Sequence, residues 1–382
     1  MDTTVGADAS ARLFGQLRPV VQVASDGTML VRTEAPLGDY ARCITDRLHH
    51  WAAIAPDRVF IAQRDSSGAW RKLTYGETSQ LVRRIGSALL ARGLSAERPI
   101  LILSGNSIDH ALMALGAMDV GIPYCPLSTA YSLISQDFGK LYYALELLTP
   151  GLVFAAEGKA FARALKASRA TQGGDNREIM VADDSANELG ATAFASLFDT
   201  PVSPEAEAAH AAITPDTIGK FLLTSGSTGF PKAVSNTQRL ICSNQVMIHQ
   251  ALEFLQTEPP VMLDWLPWAH TFGSNHNFGI ALYNGGSLYI DDGKPVPGGI
   301  DATVRNIRDV SPTIYFNVPK GYEALLPHLE ADAALRQAFF SKLNLMFYAG
   351  AGLARPIWDA YLKLGQDTTG RLIPFTTSLG AT

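Results

Sequence analysis

Short apolar runs bounded by turn residues recur along the chain, alternating with segments whose apolar residues return every three or four positions. Ile100-Leu101-Ile102-Leu103 has the continuous apolar character of a strand buried on both faces, and Ser104-Gly105-Asn106-Ser107 reads as a turn. Ile108, Ala111, Leu112 and Leu115 then fall at i, i+3, i+4 and i+7, the spacing of one helix face. Comparable strands are predicted at 151–155, 179–182, 221–223, 261–266, 287–290, 313–318, 343–348 and 372–376, with helical stretches between most of them. Pro356 is predicted to open a helix carrying Ile357, Tyr361 and Leu364 on one face, since a proline there loses no intrahelical bond. Such alternation predicts an α/β protein: two helix-flanked, mostly parallel sheets packed together.

The same pattern divides the chain. Residues 1–42 show no sustained periodicity and read as an irregular N-terminal segment; 43–199 form a first α/β subdomain and 217–382 a second. Between them, 200–216 are rich in Pro, Ala and Glu and are predicted to be a linker, with elements free to exchange across it. Lys159, Arg163, Lys166 and Arg169, about a helical turn apart, read as a solvated helix face and not as a binding patch.

Composition narrows the function. With 382 residues, 47% hydrophobic and 18% charged, the chain can bury a large core. A net charge of -5 gives no broad attraction to nucleic acid or to an anionic membrane surface. Cys43, Cys125 and Cys242 are far apart and form no Cys-x-x-Cys pair, so neither a disulfide framework nor a zinc knuckle is indicated, and a reducing compartment is expected. The first residues are acidic with no following apolar stretch, and apolar runs stay below the ~20 residues that span a bilayer, so a cytoplasmic protein without a membrane span is expected.

The segment richest in chemistry is Leu222-Leu223-Thr224-Ser225-Gly226-Ser227-Thr228-Gly229-Phe230-Pro231-Lys232-Ala233-Val234. An apolar strand runs into four hydroxyl residues and two glycines, followed by a lysine. Hydroxyls donate to anions, glycines let the backbone approach closely, and Lys232 supplies a compensating cation, so the segment points to a nucleoside triphosphate. It is not a Walker A loop, because Phe230 and Pro231 separate Gly229 from Lys232. No Gly-x-Ser-x-Gly elbow supports a serine hydrolase.

This segment resembles the phosphate-binding signature of the adenylate-forming superfamily of acyl-CoA and aryl-CoA synthetases, luciferases and peptide-synthetase adenylation domains. Further segments resemble the family in order. Asp264-Trp265-Leu266-Pro267-Trp268-Ala269-His270-Thr271-Phe272-Gly273-Ser274-Asn275 is similar to its Pro-x-x-His signature, and Tyr348-Ala349-Gly350-Ala351-Gly352 to its adenine turn. The latter is a poor dinucleotide fingerprint, since Arg355 takes the sixth position and no acid ends the next predicted strand at Thr376. Thr377-Ser378-Leu379-Gly380-Ala381-Thr382 is similar to the start of the aromatic-Gly-x-Thr-Glu signature, with Leu379 replacing the aromatic residue.

The resemblance implies an ATP-dependent acid–thiol ligase that forms an acyl-AMP, releases pyrophosphate and passes the acyl group to coenzyme A, with Mg²⁺. It implies that Thr224, Ser225, Gly226, Ser227, Thr228, Gly229 and Lys232 hold the β- and γ-phosphates, Thr228 with the metal, and that Thr382 holds the α-phosphate. Gly350, Ala351, Gly352, Ser378, Leu379 and Gly380 would bind the adenylate. Trp268, His270, Phe272, Asn275, Phe316 and Tyr348 would line the acyl pocket, His270 orienting the acid and the aromatic residues forming a flat slot. The nearest likeness is to feruloyl-CoA synthases, through residues 265–275 and the Asn284-Gly285-Gly286 turn, which implies a hydroxycinnamate-type acid. The family's metal-binding glutamate, ribose-binding aspartate, hinge and small C-terminal domain have no counterpart here. The chain therefore reads as the large N-terminal part, expected to fold but not to turn over. Rival readings are a non-catalytic adenylate-binding module and a fatty-acid or amino-acid adenylating enzyme. The last would need an acid beside the pocket, where Asp264 is the candidate. The expected partners are the acid, ATP and CoA, with no nucleic acid and with homodimerisation left open.

Overall fold

The computed structural model describes residues 13–171, 173–224 and 229–382. Its strands are β1 (Pro19–Val23), β2 (Met29–Thr33), β3 (Val59–Arg64), β4 (Trp70–Thr74), β5 (Ile100–Ile102), β6 (Tyr124–Pro126), β7 (Leu152–Ala155), β8 (Glu178–Val181), β9 (Thr192–Ala193), β10 (Ile218–Thr224), β11 (Lys232–Thr237), β12 (Val261–Asp264), β13 (Ser287–Ile290), β14 (Ile314–Asn317), β15 (Leu345–Tyr348) and β16 (Phe375–Thr377).

A seven-stranded sheet runs β11-β10-β6-β5-β7-β8-β9, parallel except for the β10–β11 pair. A four-stranded sheet, β12-β13-β3-β4, is parallel except for β3–β4, and a parallel three-stranded sheet, β14-β15-β16, continues it. The join is one main-chain bond, Thr313 N to Val261 O at 2.9 Å. β10 follows 200–216 yet joins the first sheet, and β3 and β4 precede it yet join the second, so the two sheets exchange elements across that segment.

Period-two alternation sorts the side chains of each strand into separate layers. Ile100 and Ile102 of β5 and Ile314 and Phe316 of β14 share the apolar layer between the sheets. Leu101 and Leu103 face the outer helices Gly139–Leu148 and Gly158–Arg169. Tyr315 and Met346 face the outer helices Pro319–Ala331, Ala333–Phe340 and Arg355–Thr369. Helices Tyr75–Ala91 and Ile108–Asp119 fill the middle layer, which explains why the second is buried nearly all round. They approach so closely that a Cβ on Gly116 would lie 2.4 Å from Ile85 Cγ2. Thr74 and Glu77 form a reciprocal capping box that starts the first of them.

Two sequence expectations are corrected. Within 200–216, residues Pro204–Ala212 form a helix: Ser203 Oγ accepts from Ala206 N at 3.2 Å, Pro204 sits in the first turn and Glu205 and Glu207 favour the N-terminus. Alanine and glutamate are strong helix formers, a property that outweighs the loop-like composition. Residues 13–42, expected to be irregular, contain the antiparallel ribbon β1–β2, which is exposed on both faces and so carries no buried stripe to read. Among the described residues no helix is long and apolar enough to cross a membrane.

Candidate functional site

The strands β10 and β11 of an edge hairpin flank the hydroxyl- and glycine-rich segment. β10 and β11 pair antiparallel up to Thr224 opposite Lys232. Ser225, Gly226, Ser227 and Thr228 lie outside the described residues. Thr224 Oγ1 donates to Lys232 O at 3.5 Å, and Gly229 takes φ +99°, a backbone that side chains seldom adopt. Phe230 is exposed and stacks on Tyr143, centroids 4.8 Å apart. Lys232 is exposed, its side chain turned to solvent.

β12, β14, β15 and β16 run in the same direction, so the segments after their carboxyl ends gather along one edge. There lie 265–270, Val318, 349–352 and 378–382. Gly350 has φ +91°, and Gly350, Ala351 and Gly352 are exposed in the turn before helix Arg355–Thr369. Thr377 Oγ1 donates to Tyr348 O at 2.7 Å, tying the last strand to that turn. Ser378, Leu379, Gly380 and Thr382 follow it, all exposed.

Between hairpin and carboxyl edge sits Phe272–Phe278, a π-helical turn, a rare geometry that recurs at functional sites. His270, exposed, precedes it, and its Nδ1 accepts from Phe272 N at 3.2 Å. Asn275 Nδ2 donates to Asn236 Oδ1 of β11 at 2.7 Å and to Thr271 Oγ1 at 3.1 Å. On the other side Phe272 and His276 meet Phe316 and Phe347 in a cluster of rings, with His276 centred 5.0 Å from Phe316 and Phe316 5.2 Å from Phe347. Burial pushes the His276 imidazole down to about 4, so it is neutral, and its Nδ1 lies 2.8 Å from Asn277 Oδ1.

The four aromatic residues expected to share one slot do not share a face. Phe272 and Phe316 do. Trp268 is buried in the middle layer against His110 and Phe278, each centred 5.0 Å away. Tyr348 points to the opposite face of β15, against Trp358 and Phe375, because register alternation gives the inner face to its neighbour Phe347. Phe347 was missed for the same reason, since strand phase decides which of two adjacent aromatic residues faces inward, and His276 because nothing in the sequence signalled the π-helical turn that aims it at Phe316.

Two buried ionisable groups lie beside this turn: Lys220, which escaped the sequence reading, and Asp264, which the sequence offered only as a receptor for an amino group. Lys220 of β10 is 4% exposed; its Nζ meets only Ser274 Oγ at 3.4 Å and the Tyr124 ring at 5.9 Å among the described residues. Burial brings its ammonium down to about 7. Asp264, at the end of β12, accepts from Asn277 Nδ2 at 3.0 Å through Oδ1, while Oδ2 has no partner among the described residues. Burial, helped by the nearby Asp291 charge, pushes it up to about 8, so it is mostly a neutral acid at pH 7. A neutral, enclosed carboxyl is a poor receptor for an ammonium group, and residues 265–278 contain no other acid.

Comparison with known proteins fits this geometry. A family model described as AMP-binding enzyme matches residues 48–378. The sequence is 28% identical over 262 residues to a sulfoacetate–CoA ligase from Cupriavidus necator, covering 68% of this chain and 46% of that protein. It is 24% identical over 320 residues to a 3-hydroxybenzoate–CoA/4-hydroxybenzoate–CoA ligase from Thauera aromatica, covering 82% of this chain and 55% of the relative. The fold superposes on a benzoate CoA ligase from Burkholderia xenovorans with a TM-score of 0.68 at 18% identity, covering 89% of this chain and 61% of that one. The chain spans about half the length of the curated relatives it matches.

Proposed function

Because the chain belongs to the AMP-binding enzyme family, we propose that its site joins a carboxylic acid to AMP and that the complete gene product passes the acyl group to coenzyme A. A carboxylate oxygen bonds to the α-phosphorus of ATP and pyrophosphate leaves; the CoA sulfur then bonds to the acyl carbon and AMP leaves. The observation that carries this reading is the β10–β11 hairpin, whose turn presents Gly229 and the exposed Lys232 next to the π-helical turn. The CoA ligases among the relatives support the same chemistry.

In this reading Thr224, Gly229 and Lys232 hold the β- and γ-phosphates, Gly350–Gly352 and Ser378–Gly380 the adenylate, and Thr382 the α-phosphate. Thr228, which would accompany Mg²⁺, lies outside the described residues. Catalysis rests on positioning and charge stabilisation, with no covalent nucleophile. His270, in solvent at the start of the π-helical turn, orients the acid, with Phe272 and Asn275 following it on that turn. The ring cluster around Phe272 and the neutral Asp264 favour an aromatic acid over an amino acid, and a hydroxycinnamate such as ferulate is the specific candidate. The buried free thiols of Cys43, Cys125 and Cys242 suit the cytoplasm.

The test is acid-dependent ATP–pyrophosphate exchange by the complete gene product across ferulate, benzoate, medium-chain fatty acids and amino acids. Exchange highest with ferulate supports the full reading. A preference for fatty acids overturns the aryl assignment, and nucleotide binding without exchange under any acid overturns the ligase.

A further inference from the structure

Outside this site, three helices bring two imidazoles and one carboxylate to a single point. His49 comes from helix Ile44–Ile54, Asp119 ends helix Ile108–Asp119 and His210 comes from helix Pro204–Ala212. His49 Nε2 lies 2.8 Å and His210 Nδ1 3.0 Å from Asp119 Oδ1, and the three ligand atoms fall within 4.8 Å of one another. The main-chain oxygen of Asp119 lies 3.0 Å from the same His210 nitrogen.

The ring nitrogens that face away from this point are each held. His49 Nδ1 is 2.8 Å from Ser79 Oγ, and His210 Nε2 is 3.1 Å from Asp46 Oδ1. Second partners of this kind, a hydroxyl for one ring and a carboxylate for the other, orient metal-ligating histidines. The two nearby guanidiniums have carboxylates of their own. Arg42 lies 2.9 Å from Asp46, beside which it also comes within 3.2 Å of His210 Nε2, and Arg83 lies 2.6 Å from Glu207. Asp119 is thereby left to the two histidines. A cavity of about 360 Å³, lined by His49, Ser79, Arg83, Asp119, Glu207 and His210, opens onto the cluster.

We propose that His49 Nε2, His210 Nδ1 and Asp119 Oδ1 bind a divalent first-row metal ion, with zinc as its best match, and that the cavity supplies water for the fourth position. Imidazole nitrogen and carboxylate are the ligands zinc takes at ~2.0–2.2 Å in tetrahedral sites, so each histidine nitrogen need move only a few tenths of an ångström away from Asp119 Oδ1 to admit it, the ion displacing the proton that Asp119 and Asp46 favour on His210. The ion would staple helix Pro204–Ala212, which connects β9 to β10, onto the two helices beneath it. None of the three helices carries a residue of the nucleotide or acyl site, so the proposal stands apart from adenylation.

The experiment strips the purified protein with a chelator and titrates zinc chloride against a chromophoric competitor. Cobalt(II) chloride is added in parallel to read ligand geometry from its visible absorption. One tight equivalent per chain is expected, with a cobalt spectrum of four or five coordination. His49→Gln and Asp119→Asn should each weaken zinc at least about tenfold and remove the cobalt band, and Ser79→Ala should weaken it less. Unfolding transitions establish that the variants are folded; should Asp119→Asn fail, the partly exposed His49→Gln decides. Absence of a tight equivalent, or the same stoichiometry and spectrum in His49→Gln, overturns the site and leaves a hydrogen-bonded His–Asp–His chain.

Discussion

The β10–β11 hairpin and the π-helical turn beside it are built on opposite principles. The described part of the hairpin turn faces water: Phe230 and Lys232 are exposed and Gly229 has open space where a Cβ would sit. The turn at Phe272–Phe278 is wedged between sheet layers, with Asn275 bonded to Asn236 and Asn277 to Asp264. Groups that wait for a soluble anion contribute little to folding, whereas groups that shape an apolar pocket are themselves part of the core. Function and stability should therefore separate in the first region and coincide in the second.

The largest expected effect tests that coincidence. Phe316 is 2% exposed and packed by Phe272, His276 and Phe347, so Phe316→Ala should destabilise the protein by about 3–5 kcal/mol through lost burial and a cavity. Denaturant unfolding measures it, and an unchanged midpoint would mean the ring cluster is not structural.

Lys232→Ala should do the reverse. Loss of a charge-assisted phosphate contact should lower kcat/KM for ATP in pyrophosphate exchange by about 1.5–3 kcal/mol. The unfolding free energy should stay within about 0.5 kcal/mol, as for an exposed position. Equal exchange kinetics in the variant would remove Lys232 from the site.

Lys220 sharpens the contrast, because it belongs to the hairpin by sequence but to the core by burial. Its ammonium titrates near 7 when folded against an ordinary 10.5, so unfolding takes up a proton between those values. Stability from this group is present above pH 10.5, is lost as pH falls towards 7 and is flat below. Lys220→Met should therefore raise the unfolding free energy at pH 6 by a few kcal/mol, with the gain fading towards pH 10.5. Parallel pH profiles for the two proteins would show that Lys220 is hydrated or paired.

Local chemistry made much of this molecule legible in one dimension. Continuous apolar runs marked β5, β7 and β14 because a strand covered on both faces has no polar phase, and the segment at 224–232 stood out because it gathers glycine, hydroxyl and lysine residues in a short contiguous stretch. The exposed ribbon β1–β2 carried no such signal, and helix Pro204–Ala212 hid behind a composition shared by linkers. Contacts between distant segments belonged to the tertiary structure. Whether Phe347 or Tyr348 faces Phe316 depends on strand register against β14. Whether Lys220 keeps its charge depends on Tyr124 and Ser274, about a hundred and about fifty positions away, covering it. His49, Asp119 and His210 are unremarkable in sequence because each lies on a different helix, and only the packing of those helices gathers their ligand atoms within 4.8 Å. Periodicity and motif chemistry act over a few residues and are written in the chain; the phase of a strand and the polarity around a side chain are set by neighbours that only folding brings near.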